Sequence, residues 1–291
     1  MWTAEIPFNP IATPRPSFRK IGKDNVTAYY PSSYKEYQKK VSDYLLENRL
    51  LDESFYETIK SELGVIMEVD FFLKIPKNQN QVHRIFRTTA PDIDNLLKCI
   101  MDCLFQDTKE RDSRVVGVVA FKHNTKQKPR TIVRLKSAND FSDQEQNGLI
   151  DEDNWQIVIP MNPKATPRPS VKMLPGKTIT YYGNDYKEYL LDLQNHIEKE
   201  GMYNSTFYDV AKAEFGVIAE IDYYCKIPKN QKNAKRILKT TAPDIDNYVK
   251  ATLDGLFNKD TGLKDSRVVG LIAFKFNTAK HPRTEIRLRG V

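Results

Sequence analysis

Histidine is scarce in this chain, with four in 291 residues, and His83, His123, His196 and His281 do not recur at matching positions of the internal repeat described below. A histidine-based nucleophile or general base serving both halves is therefore not expected. There are three cysteines, Cys99, Cys103 and Cys225, an odd and sparse set. That favours a reducing cytosol over a disulfide framework. Cys99 and Cys103 stand at helical i,i+4 spacing, but no Cys/His pair lies nearby to complete a metal site, so two packed helix residues is the better reading. No apolar run approaches the roughly 18 residues that a membrane helix needs. The opening "MWTAEIPFNP" has neither a basic n-region nor a long apolar stretch, so no secretory signal is expected. G-x-S-x-G, P-loop and G-x-G-x-x-G motifs are all missing.

What is present is charge and repetition. The composition, 40% hydrophobic and 29% charged, suits ordinary packed cores, and the formal net charge is +7. Residues 140–154, "DFSDQEQNGLIDEDN", carry six acids and no Lys or Arg; removing that −6 from +7 leaves +13 on the rest. A basic body points to a polyanionic partner, nucleic acid first.

The chain repeats itself nearly end to end. "FNPIATPRPS" at 8 answers "MNPKATPRPS" at 161, and "GVIMEVDFFLKIPKNQN" at 64 answers "GVIAEIDYYCKIPKNQK" at 216. "TTAPDIDN" occurs unchanged at 88–95 and 240–247, and "DSRVVGVVAFK" at 112 answers "DSRVVGLIAFK" at 265. The offset changes from 152 to 153 where "FQDTKERDS" becomes "FNKDTGLKDS", which places a loop between Phe105 and Asp112. A period this long is a duplicated domain rather than a solenoid unit. The expected boundaries are 1–139 and 155–291, with 140–154 as an acidic linker. As a flexible coil, fifteen residues span roughly 20 Å and reach at most about 50 Å. Tethering then makes pairing within one chain favourable, so a monomeric pseudo-dimer is expected.

Each copy predicts strand, helix, strand, helix, strand, strand, a small mixed α/β domain. "WTAEIPF" alternates as an opening strand, and Pro14 and Pro16 interrupt regular structure after it. Tyr34, Tyr37, Val41, Tyr44 and Leu45 recur at helical spacing, so these tyrosines are better placed in a core than stacked on bases. Val65, Met67, Val69, Phe71 and Leu73 share one face of a strand. Ile93, Leu96, Leu97, Ile100, Met101, Leu104 and Phe105 form a core-facing helical stripe. "SRVVGVVAFK" and "TIVRLK" close as two strands, read as a pair joined by the basic turn "HNTKQKP".

The repeated octapeptide carries the chemistry. Pro91 steers the residue before it away from the helix, and Asp92 then sits at the N-cap position. Two residues at i,i+2 within a helix diverge by about 200°. Asp92 and Asp94 therefore converge only if Asp92 lies outside the helix, as a cap residue does. Lys98 lies one turn beyond Asp94, and Asp102 one turn further. Asp112, with its counterpart Asp265, is the next acid shared by both copies. The expectation is that Asp92, Asp94 and Asp112 meet at one edge of the domain, and Asp244, Asp246 and Asp265 likewise. Carboxylates without His or Cys make a hard-oxygen site suited to Mg²⁺ or Mn²⁺, an ion able to polarise a phosphodiester and generate hydroxide. The plainer alternative is that Asp92 only caps the helix and Asp94 only pairs with Lys98. Basic residues flank the acids. Arg15, Arg84, Arg87, Lys122, Lys126, Lys128 and Arg130 in the first copy, and Arg168, Lys235, Arg236, Lys239, Lys275, Lys280 and Arg283 in the second, are candidate DNA contacts.

At these residues the sequence resembles the RusA family of Holliday-junction resolvases. The family pattern is D-x-D-N-x-x-K, an acid on the following helix, and a later D-x-x-V-V strand. "DIDNLLK" (92–98), Asp102 and "DSRVV" (112–116) match it, as do "DIDNYVK" (244–250), Asp254 and "DSRVV" (265–269). The position before the last Asp holds Arg111 and Lys264, where members often carry a second acid. The resemblance implies a small α/β fold, pairing of two such domains, Mg²⁺ dependence and symmetric nicking of four-way junctions in a bacterial or phage-infected cytoplasm. It also implies that Asp92, Asp94, Asp112, Asp244, Asp246 and Asp265 are metal-binding catalytic acids, with Lys98 and Lys250 as catalytic lysines. Members are usually single-copy, and a symmetric junction needs two cuts, so one duplicated chain is expected to carry both sites. A flap or fork nuclease is the neighbouring alternative. A non-catalytic branched-DNA-binding protein is the alternative from another class.

Overall fold

The computed structural model describes residues 1–21, 25–76, 85–139, 154–174, 177–228 and 237–291. The predicted linker at 140–154, except its last residue, and the candidate DNA contacts Arg84, Lys235 and Arg236 lie outside the described residues. The first copy contains β1 (Trp2–Ile6), β2 (Ser17–Ile21), β3 (Asn25–Tyr29), α1 (Ser32–Glu47), α2 (Glu53–Ile59), β4 (Val65–Lys74), α3 (Ile93–Phe105), β5 (Val115–Thr125) and β6 (Arg130–Ser137). The second repeats them as β7 (Trp155–Ile159), β8 (Ser170–Leu174), β9 (Lys177–Tyr181), α4 (Asn184–Lys199), α5 (Ser205–Ala211), β10 (Val217–Lys226), α6 (Ile245–Leu256), β11 (Val268–Thr278) and β12 (Arg283–Gly290). A 3-10 turn, Asp112–Arg114 or Asp265–Arg267, leads into β5 or β11.

Alternation decides which side of each strand is buried. In β4, Val65, Met67, Val69, Phe71 and Leu73 are all at most 2% exposed, and they join the core with the predicted stripe of α3. Each such side chain contributes about 1.5–3 kcal/mol by leaving water. Tyr34, Val41 and Leu45 of α1 enter the same core, while Tyr37 and Tyr44 are half-buried at its margin. Cys99, Cys103 and Cys225 are buried free thiols.

Three features differ from the sequence expectation. A two-stranded ribbon, β2 with β3, follows the prolines. The seven-residue helix α2 was also unforeseen, being too short to show periodicity. It is started by Asp52, which accepts from the Phe55 amide at 3.0 Å, and held by the edge-to-face packing of Phe55 on Trp2. Asn204 and Phe207 repeat this arrangement against Trp155. Finally, β5 and β6 are not neighbours. β6 lies between β1 and β4, antiparallel to both, while β5 pairs parallel with β4. The parallel pairing uses α3 as its crossover, which leaves the other edge of β5 open.

That edge receives the second copy. The sheet order is β1-β6-β4-β5-β11-β10-β12-β7, which reads the same when the copies are exchanged. A pseudo-twofold axis therefore passes between the antiparallel strands β5 and β11, at the Val119–Ile272 pair. On either side, Gly117 faces Phe274 and Gly270 faces Phe121. A Cβ on Gly117 would meet the Phe274 ring at 2.3 Å, and one on Gly270 would meet Phe121 at 2.6 Å, so each glycine makes room for the other copy's ring. Helices α3 and α6 pack against one another over the same seam and touch both central strands.

Candidate active site and metal centre

Both acidic octapeptides are delivered to this seam. Asp92 occupies the N-cap position of α3 with extended backbone (φ −73°, ψ 145°), but its side chain makes no capping hydrogen bond. Asp244 does the same before α6. The carboxylates are thus free of the ordinary capping role: Asp92 lies beside Asp94 in the first helical turn, and Asp244 accepts from Asn247 Nδ2 at 3.4 Å and feels the negative charge of Asp246. Asp94 is 2% exposed and Asp246 is 3% exposed, unusual burial for a charged acid.

The third acid of each cluster comes from the opposite copy. Among the described residues, one carboxylate oxygen from each of Asp92, Asp94 and Asp265 falls within 4.8 Å of the others. Asp112, expected beside Asp92 and Asp94, instead lies beside Asp244 and Asp246, and its negative charge raises both of those carboxyls. The reason is topological. Each D-S-R turn opens the strand that pairs across the axis, so it arrives next to the other copy's helix. Arg114 fixes one turn by donating from Nε to the Ile59 carbonyl at 2.9 Å, and Arg267 fixes the other on Ala211 at 2.7 Å.

The lysines are exchanged in the same way. Lys250 Nζ lies 3.4 Å from Asp94 Oδ2 and 3.5 Å from Asp254, while Lys98 Nζ lies 3.2 Å from Asp246 Oδ2 and 3.8 Å from Asp102. The plainer pairing of Asp94 with Lys98 is therefore replaced by a bridge between copies. One cluster comprises Asp92, Asp94, Asp265, Lys250 and Asp254. The other comprises Asp244, Asp246, Asp112, Lys98 and Asp102.

Crowding and burial dominate the electrostatics. Burial pushes Asp94 up to about 6, against the pull of Lys250 and with further upward pressure from Asp265 and Asp92. Asp244 also rises to about 6, through burial and then Asp112 and Asp246. Burial opposes the charge on Lys98 and Lys250, but the acids around them outweigh it and hold both ammonium groups above their ordinary range. Sequence reasoning missed one member of this network. Tyr34 donates to Asp102 at 3.1 Å and shares a hydrogen bond with Thr13 at 2.9 Å. The repeated "ATP" and "YKEY" segments were its visible trace.

The basic candidates separate by exposure. Arg15, Lys126, Lys128, Arg168 and Lys280 are exposed. Burial raises the Asp254 carboxyl, with Lys250 and, more weakly, Arg15 opposing the rise, which brings a first-copy arginine to the rim of the Asp94 cluster. Arg130 and Arg283 are half-buried over aromatic rings, at 4.1 Å from the Phe72 centroid and 3.7 Å from that of Tyr224. Four candidates do not fit a role in phosphate contact. Arg87, Lys122, Lys239 and Lys275 are buried, with Lys122 and Lys275 wholly inaccessible. Arg87 is spent on the Lys74 carbonyl at 2.7 Å and Lys239 on the Thr241 hydroxyl at 3.0 Å.

Comparison with known proteins agrees with this architecture. A Bacillus subtilis (strain 168) protein, the uncharacterized protein YqaN, is 36% identical over 84 residues, 26% of this chain and 58% of that protein. The match thus spans little more than half of that relative's length. No solved structure matches the chain. The family model of the endodeoxyribonuclease RusA matches twice, over residues 7–136 and 160–289. Together the two matches take in nearly all of both copies and both acidic clusters, and the chain belongs to the RusA endodeoxyribonuclease family.

Proposed function

We propose that the protein is a divalent-metal-dependent endonuclease that resolves four-way DNA junctions by paired nicks, with both sites in one monomeric chain. The observation that carries this reading is the pair of composite carboxylate clusters related by the axis between β5 and β11. A symmetric junction presents two equivalent phosphodiesters, and two sites held on one rigid sheet match that symmetry. Exposed Arg15, Arg168, Lys126, Lys128 and Lys280 supply sequence-independent phosphate contacts. The tether favours pairing within the chain over pairing between chains. Cytoplasm of a bacterial or phage-infected cell is the setting that fits the free thiols.

The donor set suits Mg²⁺ or Mn²⁺. It consists of carboxylate oxygens, and Asp246 Oδ1 is buried without a hydrogen-bond partner, an acceptor that a hard cation would satisfy. Asp92, Asp94 and Asp265 would hold one site, and Asp244, Asp246 and Asp112 the other. A bound ion there supplies polarisation of the phosphodiester and a lowered pKa for water. Lys250 and Lys98, each anchored between two acids, orient the phosphate and offset the charge that builds up on it.

Cleavage of a four-way junction read on a denaturing gel is the direct test. Wild-type protein should give symmetric nicks with Mg²⁺ or Mn²⁺ and none in EDTA. Asp94→Asn with Asp246→Asn should abolish cutting and leave junction binding intact or tighter, since negative charge facing phosphate is removed. Undiminished cleavage by that double variant would sink the reading, and binding without cleavage by the wild type in every metal would point to a non-catalytic junction binder.

The raised carboxyls also set a pH dependence. Asp94 and Asp244 hold their protons up to about 6 in the folded chain, whereas unfolded Asp releases its proton near 4. Between these values the folded state binds more protons, so metal-free stability falls as pH rises through about 4 to 6. Above that window the buried charges repel unless a cation joins them. The Tm gain on adding Mg²⁺ should therefore be small at pH 5 and larger at pH 8, measured by differential scanning calorimetry. An equal gain at both pH values would contradict the assignment.

A further inference from the structure

We propose that Lys122 and Lys275 are positioning residues, each clamping the two halves of one composite carboxylate site into register. This rests on the metal-dependent reading above. Neither side chain has any solvent exposure. Lys122 donates from Nζ to the carbonyls of Thr89 at 3.3 Å, Pro91 at 3.0 Å and Ser266 at 2.6 Å. Lys275 mirrors it on Thr241 at 3.2 Å, Pro243 at 3.0 Å and Ser113 at 2.7 Å. Three ammonium protons thus meet three carbonyls, the full complement a lysine can satisfy.

The identity of those carbonyls gives the role. Pro91 immediately precedes Asp92, and Ser266 immediately follows Asp265. Lys122 therefore ties together the segments from opposite copies that carry the Asp92, Asp94 and Asp265 cluster. Lys275 does so for Asp244, Asp246 and Asp112. Both lysines stand on β5 and β11, so the clamp is fixed to the two central strands of the eight-stranded sheet. An aliphatic residue there would leave three carbonyl dipoles converging in a buried space with no donor. Unsatisfied buried polar groups of this kind are costly, and the segments would move apart. A displacement of about 1 Å between groups that act together costs on the order of 100-fold in rate.

The duplication makes the idea testable, because each lysine serves one site and the other site reports on folding in the same molecule. Lys122→Met keeps the stem and removes the donors. It should lower cutting by the Asp94 site about 100-fold and leave the Asp246 site near wild type, so junctions are nicked once instead of twice. Combined with Asp94→Asn it should add nothing; combined with Asp246→Asn it should leave only the residual cutting of the Asp94 site, about 100-fold below wild type. Mn²⁺ titration without DNA gives a second readout: two equivalent sets of sites in the wild type, and one set weakened about tenfold in Lys122→Met. Equal loss at both sites, or undisturbed cutting and Mn²⁺ binding, would overturn the positioning role. No Mn²⁺ binding by the wild type would instead overturn the metal reading on which it rests. If Lys122→Met does not fold by circular dichroism, Lys122→Gln, which keeps one donor group, reads the same quantities. Failure of both variants to fold would assign the lysine to the core and not to the site.

Discussion

Asp94→Asn combined with Asp112→Asn is expected to abolish junction cutting, whereas Asp94→Asn combined with Asp265→Asn is expected to leave a working nickase. Both double variants remove two carboxylates, and both touch one octapeptide and one D-S-R turn. They differ only in how the lost acids are distributed. Asp94 and Asp265 belong to one cluster, so their joint loss spares Asp244, Asp246 and Asp112. Asp94 and Asp112 lie in one copy but in different clusters, so their joint loss disables both. Removing a metal-holding carboxylate typically costs several kcal/mol of transition-state stabilisation, which is 100-fold or more. Single-turnover assays on a junction labelled on all four strands would distinguish one nick per complex from none. If the within-copy double variant nicks while the between-copy variant is dead, the acids are grouped by copy after all.

The second large effect concerns Lys98 and Lys250. Lys98→Ala is expected to lower turnover by the site built on Asp244 and Asp246, although Lys98 itself lies in the first copy. Asp246 has no exposure to speak of, and Lys98 at 3.2 Å is its counter-ion. Loss of that cation leaves a buried carboxylate unpaired, costing about 3–5 kcal/mol when one partner of a buried pair is removed. On the proposed mechanism it would also remove positive charge from the place where the phosphate gains negative charge, worth about 100-fold or more in rate. On the proposed reading, affinity for the junction should change little, because exposed arginines and lysines elsewhere would supply the phosphate contacts. Pre-steady-state kinetics with a separate binding assay would resolve the two. A fall in affinity with turnover unchanged would make these lysines ordinary phosphate anchors. Lys98→Ala with Asp246→Asn should be no worse than Asp246→Asn alone, and Lys98→Ala with Asp94→Asn should cut about 100-fold or more below the wild type.

Much of this protein is determined by short-range pattern. The period-two run from Val65 to Leu73 and the helical stripe from Ile93 to Phe105 fix a strand and a helix, because burial on one face needs nothing beyond the alternation itself. The position of Asp92 just outside α3 follows from Pro91 and the helical rise, and with it the convergence of Asp92 on Asp94. The repeat establishes two copies, and the carboxylate-only donor set establishes the kind of cation that would suit them. Tertiary structure alone decided which Asp completes each cluster. Both copies present the same motif, so Asp112 and Asp265 are interchangeable in sequence, and only the pairing of β5 with β11 carries each turn across the axis. The same holds for the neighbour of β5: a basic turn before β6 looks like a hairpin, but the strands are separated by β4 because the crossover through α3 leaves the outer edge of β5 free. Lys122 shows the limit most clearly. A lysine in a basic stretch reads as a surface charge, since sequence records its ammonium but not the three carbonyls from two copies that close around it.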